Sequence, residues 1–466
     1  MDKKMISMFE NNPKEYFQNT IYNPNSLTLD LSEEEWYEKN PTRGIRQGIE
    51  TYDLSKYSDS FLSKILNESY GEFEYNRTVI DNREYRFPRR TVACGGALYP
   101  NNIYLLISID KKVKIFQYNP MLNLLNLVSI NENSSELIEG KIYFVLTTYY
   151  WRNWFKYRYF GYRLMLVDTG YLLANMCMVL SKYNLSYDIS ISNCLLKKIK
   201  KMLNIDTKYE SVCTLISLDN KDLQESISQI EKFKVNYKLF KDWDTVPIRL
   251  YDKLEQEMIN EKFDVSEKIK KGIDILSIPF NKKNRVSPGG EFMISRRNLE
   301  NIRFKKSIEF FDELINEFGV ISQGVKIYAY INKVDGINEG LYYLEKKNLI
   351  KVKNKIDFGF EHINNILRRK NFNLKEIPVL FFIGIDLEGL MNLHGLSGFK
   401  FGQIKIGFVS QLLSFSSVLN DCWTHSILGF DVKMIENMIE TQDNINILNL
   451  MTFSERKVLD RFSYEF

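Results

Sequence analysis

Residues 154–180, WFKYRYFGYRLMLVDTGYLLANMCMVL, decide how the rest of the chain is read. From Leu164 onward the stretch is apolar on nearly every face, broken only by Asp168, Thr169, Gly170 and Asn175. A helix apolar all round is either a core helix or a membrane span. The run is shorter than the roughly 20 uninterrupted apolar residues a bilayer requires, and its polar breaks fall mid-segment, so a buried core helix is expected. Gly170 and Ala174, four apart, share one face and leave room for a second backbone, including that of another copy. Ahead of the helix lies a dense aromatic and basic cluster: Trp151, Arg152, Trp154, Lys156, Tyr157, Arg158, Tyr159, Tyr162 and Arg163. By itself such a cluster reads equally as a solvated basic rim.

With 466 residues the chain exceeds one ordinary core, and two to three domains are expected. A formal charge of +4 on that length implies neither nucleic acid nor an anionic membrane as partner. The five cysteines include no CxxC pair, which argues against a disulfide scaffold or a zinc site. Three scattered histidines give little material for a metal site or a Ser-His-Asp triad, so no metal is expected. The first residues lack the apolar core of a signal peptide, so a cytoplasmic protein is expected.

Along the chain, 1–40 reads as a polar N-terminal extension with a short helix near Ser32–Glu38. Residues 41–209 form a first unit. It comprises a basic TRGIR turn, an amphipathic helix carrying Phe61, Leu62, Ile65 and Leu66, and a polar loop at Tyr75–Arg86. A Gly95-Gly96 turn follows, then strands at Ile103–Ile109 and Lys141–Thr148 flanking a hairpin that turns at Asn119-Pro120. The apolar helix comes next, and the basic helix Leu195–Leu203 closes the unit. Residues 210–290 read as a connector of charged amphipathic helices. Residues 291–466 echo the first unit, with an amphipathic helix to about Glu317, strands at Val325–Ile331 and Val379–Ile385, and a helix at Phe360–Arg369. In GFKFGQIKIGFVSQLLSFSSVL, Phe399-Lys400-Phe401 stands where Phe155-Lys156-Tyr157 stood. Nothing in this second half replaces the CGGALYP turn, and Ser410 and Leu412 stand for Asp168 and Gly170, so the half is degenerate.

Three groups of residues carry chemical content. Arg43 and Arg46, three apart, can fork onto a phosphate, although such pairs are commonly solvated surface. The doublet Gly95-Gly96 after Arg90, Thr91 and Cys94 lets a backbone approach a flat ligand, although a plain turn uses the same residues. It contains neither GxGxxG nor a Walker pattern. Lys156 and Tyr157 form an acid–base candidate, because an amine desolvated beside aromatic rings gives up its proton more readily; a snorkelling surface lysine is the plainer alternative.

Together these segments resemble the nitroreductase superfamily, and within it the SagB-type azoline dehydrogenases of thiazole/oxazole-modified peptide biosynthesis. RRTVACGGALYPNNIYLL is similar to that family's PSxGALYPxExY flavin segment. FKYRYFGYRLMLVDTGYLLANM is similar to its KYxxRxYRxxLxDxGHxxxN helix entry, and the early RxxR to its RRSxRxF opening. Gly44 and Cys94 stand in place of the usual serines, and Tyr171 where histidine is common. The resemblance implies an α+β fold of two tandem nitroreductase-like halves forming a pseudo-dimer, with FMN at their interface. It further implies that Arg43, Arg46 and Arg163 are flavin-side cations, that Arg90, Thr91, Cys94, Gly95, Gly96, Ala97 and Leu98 line the cofactor, and that Lys156 and Tyr157 are the catalytic pair. The implied activity is FMN-dependent oxidation of peptide-embedded thiazolines or oxazolines to azoles, on a ribosomal precursor peptide of bacteriocin or thiopeptide type and beside a cyclodehydratase. Oxygen would reoxidise the flavin, and pairing into a further homodimer stays open. Two alternatives stay open as well: an NAD(P)H-dependent reductase of small molecules or dehydroamino acids, and a flavin-free subunit that binds a peptide or partner.

Overall fold

The computed structural model describes residues 3–27, 44–46, 48–80, 83–109, 112–132, 137, 141–219, 232–233, 248–269, 298–352, 363–368, 373–439, 444–455 and 464–465. The expected helix near Ser32–Glu38 lies outside them. The chain forms two compact units, one of Met1–Pro13, Leu27–Leu276 and Phe462–Phe466, the other of Lys14–Ser26 and Ser277–Arg461.

Unit 1 is built on a nine-stranded antiparallel sheet. Its strands are β1 (Glu50–Asp53), β4 (Asn101–Ile109), β5 (Lys112–Asn119), β6 (Leu124–Asn131), β7 (Lys141–Tyr149), β8 (Tyr187–Ser192), β9 (Glu210–Asp219), β10 (Lys232–Phe233) and β11 (Asp264–Ile269). Their order across the sheet is β10-β1-β6-β5-β4-β7-β9-β8-β11. The hairpin β5–β6 turns through Pro120–Asn123, where the sequence placed it. β2 (Glu72–Ile80) and β3 (Arg83–Arg90) pair with each other, and β18 (Tyr464–Glu465) with β2. A loop was expected at Tyr75–Arg86. The charge count masked the Phe73, Tyr75, Thr78 and Val79 content that favours an extended chain.

β9 corrects a second expectation, that 210–290 is a helical connector. Val212, Cys213, Leu215, Ile216 and Leu218 are all buried, a near-continuous apolar run that suits a strand covered on both faces. β9 sits between β7 and β8, and β11 pairs with β8, so these residues complete the first sheet. The helix Arg249–Met258 belongs to the same unit.

The aromatic-basic cluster and the apolar run after it fold as two helices, Trp151–Tyr157 and Gly161–Lys182, separated by a short 3₁₀ turn at Arg158–Phe160. All residues of the longer helix up to Ser181 are buried, against β4, β7, β9 and the helix Phe61–Tyr70. It is the one described helix long and apolar enough to cross a membrane, and its apolar window is wholly buried. Its polar breaks are ties to neighbours. Asn175 Nδ2 donates to the Ser69 carbonyl (2.7 Å), capping the end of the Phe61–Tyr70 helix. Thr169 Oγ1 accepts from Asn101 Nδ2 (2.9 Å) and donates to the Met165 carbonyl (2.9 Å).

Unit 2 holds a six-stranded antiparallel sheet of β12 (Lys326–Ile331), β13 (Gly340–Glu345), β14 (Asn348–Lys351), β15 (Val379–Ile385), β16 (Cys422–Ile427) and β17 (Asn446–Glu455), ordered β14-β13-β12-β15-β17-β16. The helices Asn301–Glu317 and Leu396–Val418 pack together, the second also covering β15, β16 and β17. In place of an α-helix at Phe360–Arg369, the described residues Ile363–Ile366 form a 3₁₀ turn that leads into a bridge from Leu367 to Phe430. As in unit 1, a short helix, Leu387–His394, precedes the long one, and the two are separated at Gly395, with φ 64° and ψ −146°.

Candidate active site

The turn Cys94–Tyr99 links β3 to β4 with an uncommon backbone. Gly96, Ala97 and Tyr99 have φ of 64°, 55° and 49°. Two of the three are not glycine, and residues held in that region cost energy that the surroundings must supply, a pattern that clusters at functional sites. Asp168 supplies part of it. From mid-helix its Oδ1 accepts from the Gly95 N–H (3.0 Å) and its Oδ2 from Cys94 Sγ (3.3 Å). Cys94 Sγ also accepts from the Tyr99 N–H (3.0 Å), closing the turn on itself.

Burial pushes the Asp168 carboxyl up to about 7, against the Gly95 N–H, the Cys94 thiol and the Asn153 amide, which favour its charge. Burial, then the neighbouring Asp168 charge, pushes the Cys94 thiol well above its ordinary range, so Cys94 serves as a donor and not as a thiolate.

Lys156 and Tyr157 end the Trp151–Tyr157 helix, and both reach the glycine doublet. A Cβ on Gly96 would stand 2.6 Å from Tyr157 Oη and 3.0 Å from Lys156 Nζ. Gly96 itself is exposed, so an amine and a phenol converge beside open backbone. Lys156 Nζ lies 5.1 Å from the centre of the Tyr157 ring. A Cβ on Gly95 would meet the Leu164 side chain at 2.6 Å, so this glycine is required for close packing on the central helix.

Arg152, one helical turn before Lys156, ties the two segments together. Its guanidinium donates to the Tyr99 and Asn101 carbonyls (both 2.9 Å) and to Asn102 Oδ1 (2.7 Å). It is buried, and Glu210, which accepts from Asn102 Nδ2 (2.8 Å), is buried beside it. The sequence grouped Arg152 with the aromatic cluster and left Asp168 as a polar break. The signal available for Asp168 was an acid in the middle of an apolar helix, which needs a partner.

The remaining candidates are placed differently. Arg90 is buried between the Tyr70 and Tyr99 rings (4.5 and 4.6 Å) and pairs with Glu72 (3.2 Å). Arg163 is fully buried, 6.0 Å from the Phe160 ring. Arg46 Nη1 donates to the Leu203 carbonyl (2.7 Å), and its backbone N–H to Gln117 Oε1 (2.6 Å). Thr91 Oγ1 accepts from Asn175 Nδ2 (3.4 Å), and Leu98 is buried. Arg43 lies outside the described residues. Thus Cys94, Gly95, Gly96, Lys156 and Tyr157 are brought together, while the charges of Arg46, Arg90 and Arg163 face protein groups. All five cysteines are free thiols, and the described residues contain no cluster of potential metal ligands.

No family model and no curated protein matches the chain. Among solved structures, a protein assigned as a nitroreductase from Anabaena variabilis is similar at 17% identity with a TM-score of 0.71, covering 95% of this chain and 99% of that one. The Escherichia coli microcin synthetase complex with truncated pro-MccB17 bound overlaps 47% of this chain and 94% of its own, at 16% identity and a TM-score of 0.28. A nitroreductase-family protein from Streptococcus pneumoniae overlaps 40% and 92%, at 13% and 0.25. The extensive Anabaena match makes this a nitroreductase-like α+β fold in two tandem halves.

Proposed function

We propose that this chain is an FMN-dependent dehydrogenase that oxidises thiazolines or oxazolines within a ribosomally made precursor peptide, acting beside a cyclodehydratase. The observation that carries this reading is the meeting of Lys156 Nζ and Tyr157 Oη at the exposed Gly96. A flat, electron-accepting ring needs backbone it can approach without a Cβ in the way, and Gly96 offers that beside a proton-accepting pair. The Gly96 backbone with Lys156 and Tyr157 therefore fits the flat ring of FMN, which when bound would supply the two-electron acceptor.

What the chain contributes is proton handling and orientation. Aromatising an azoline removes a proton from the α carbon and a hydride from the β carbon. Lys156 takes the proton, and Tyr157, whose ring adjoins that amine, relays it or orients the base. Asp168 and Arg152 hold the turn and the helix end in register, so that neither partner must reorganise during the reaction. The half-buried aromatic residues Trp154 and Tyr159, packed edge to face at 4.7 Å, suit an open cleft for a peptide more than a closed pocket.

The test is mass spectrometry of a heterocyclised peptide after incubation with the purified, FMN-loaded chain. Loss of two hydrogens per ring supports the reading. Lys156→Ala should keep the yellow colour and lose the mass change by at least about a hundredfold in rate. Rapid bleaching by NAD(P)H with no azole formed would instead identify a reductase.

A further inference from the structure

We infer that Tyr251, from the stretch the sequence left as a connector, is a positioning residue that locks the Lys156–Tyr157 pair by clamping a strained peptide at Arg158. The inference rests on the catalytic reading of that pair.

Arg158 follows Tyr157 and has φ 47° and ψ −130°. This is the conformation of the first central residue of a type II′ turn, a place glycine fills and a bulky side chain enters only under strain. It ends one helix and lets Gly161–Lys182 start in a new direction. Such a residue persists only where its surroundings hold it.

Besides the Gly161 N–H, which donates to the Arg158 carbonyl, and the Arg158 N–H, which donates to the Trp154 carbonyl, one phenol oxygen from a distant helix holds this peptide. Tyr251 Oη donates to the Arg158 carbonyl (2.7 Å) and accepts from the Tyr162 N–H (2.8 Å), bridging the break between the helices. The oxygen lies at Gly161, where a Cβ would stand 3.5 Å from it and 3.6 Å from Tyr157 Cβ. Tyr251 is fully buried, its ring centre 5.2 Å from that of Tyr150, 5.6 Å from Trp154 and 4.9 Å from Tyr162. Tyr162 Oη donates in turn to the buried Glu255 (2.7 Å), one turn on from Tyr251 in the same helix. The helix Arg249–Met258 thus reaches the reaction through the backbone on which the pair is mounted.

Tyr251→Phe removes the bridging oxygen and keeps the ring. We expect flavin content unchanged, KM changed less than about threefold and kcat lowered about tenfold to a hundredfold, the scale of an ångström of misplacement. Independently of turnover, trypsin should cut after Arg158 several times faster in the variant than in the parent. Tyr162→Phe is the control, since it removes a phenol from the same cluster without touching the Arg158 carbonyl. Equal losses in both variants, or Tyr251→Phe with unchanged kcat and unchanged trypsin sensitivity, would overturn the clamp. A parent chain inactive on every azoline peptide would refute the substrate, and the trypsin comparison would still decide the clamp.

Discussion

At the scale of single residues, the site depends on a carboxyl whose proton affinity is set by burial. Asp168 titrates near 7 in the fold, against about 4 in an unfolded chain. Between those values the folded state binds the extra proton, so this group's contribution to stability is fullest below pH 4, falls as pH rises toward 7 and is level above. Asp168→Asn removes the dependence. The stability of the variant relative to the parent should therefore move in the variant's favour by about 2 kcal/mol between pH 5 and pH 8, read from urea unfolding at each pH. A difference independent of pH would place the titration elsewhere. Gly96 offers a second residue-level test. Gly96→Ala puts a methyl within 2.6 Å of a phenol that can swing aside, so the fold should survive while turnover drops at least tenfold. Circular dichroism and the azole mass assay separate the two effects. Of the site, the glycine doublet and the Lys-Tyr pair were legible because their residue types are unusual together. The burial of Arg90 was not, because it depends on Glu72 across the β2–β3 hairpin, which the sequence presents as a charged loop.

At the scale of elements, the central helix was legible from composition alone, since no other packing suits so many apolar faces. Its interruption at Arg158 was not, because that break is held from Tyr251, 93 residues away, and no local signal marks it. β9 was missed for a related reason: strand and helix cannot be told apart by periodicity when both faces are buried. The elements also differ in how they respond to damage. Leu172, fully buried in the Gly161–Lys182 helix, should cost about 2–5 kcal/mol when cut to alanine, by lost burial and an unfilled cavity. Because the same helix presents Asp168 to the turn, a Leu172→Ala chain should also lose flavin at a lower urea concentration than the parent, observable as release of free flavin fluorescence at the unfolding midpoint.

For the molecule as a whole, the two halves share a plan and differ where chemistry would sit. In unit 2 the break falls at Gly395, between Leu387–His394 and Leu396–Val418, so Lys400 lies inside the long helix at 7% exposure, where Lys156 ends the short helix and is half-buried. Lys405 Nζ donates to the Val320 carbonyl (3.3 Å) and lies 4.7 Å from the Phe401 ring. Ser410, in the place of Asp168, accepts from Asn449 Nδ2 (2.8 Å) on β17, so the position ties the helix to a strand and not to a glycine turn. No two neighbouring residues of unit 2 among those described share the positive φ that Gly96 and Ala97 have. A half that keeps the sheet, the two helices and their break while losing the glycine doublet and the acid keeps stability and gives up the ligand-facing backbone. The expected stoichiometry is therefore one FMN per chain, measured as flavin absorbance after denaturation against protein by amino-acid analysis. Two per chain would require a second site with a different construction. Arg152→Ala, which cuts the tie between the Lys156 helix and the exit of the turn, should bring that single equivalent well below one, whereas Lys405→Ala in the other half should leave it at one.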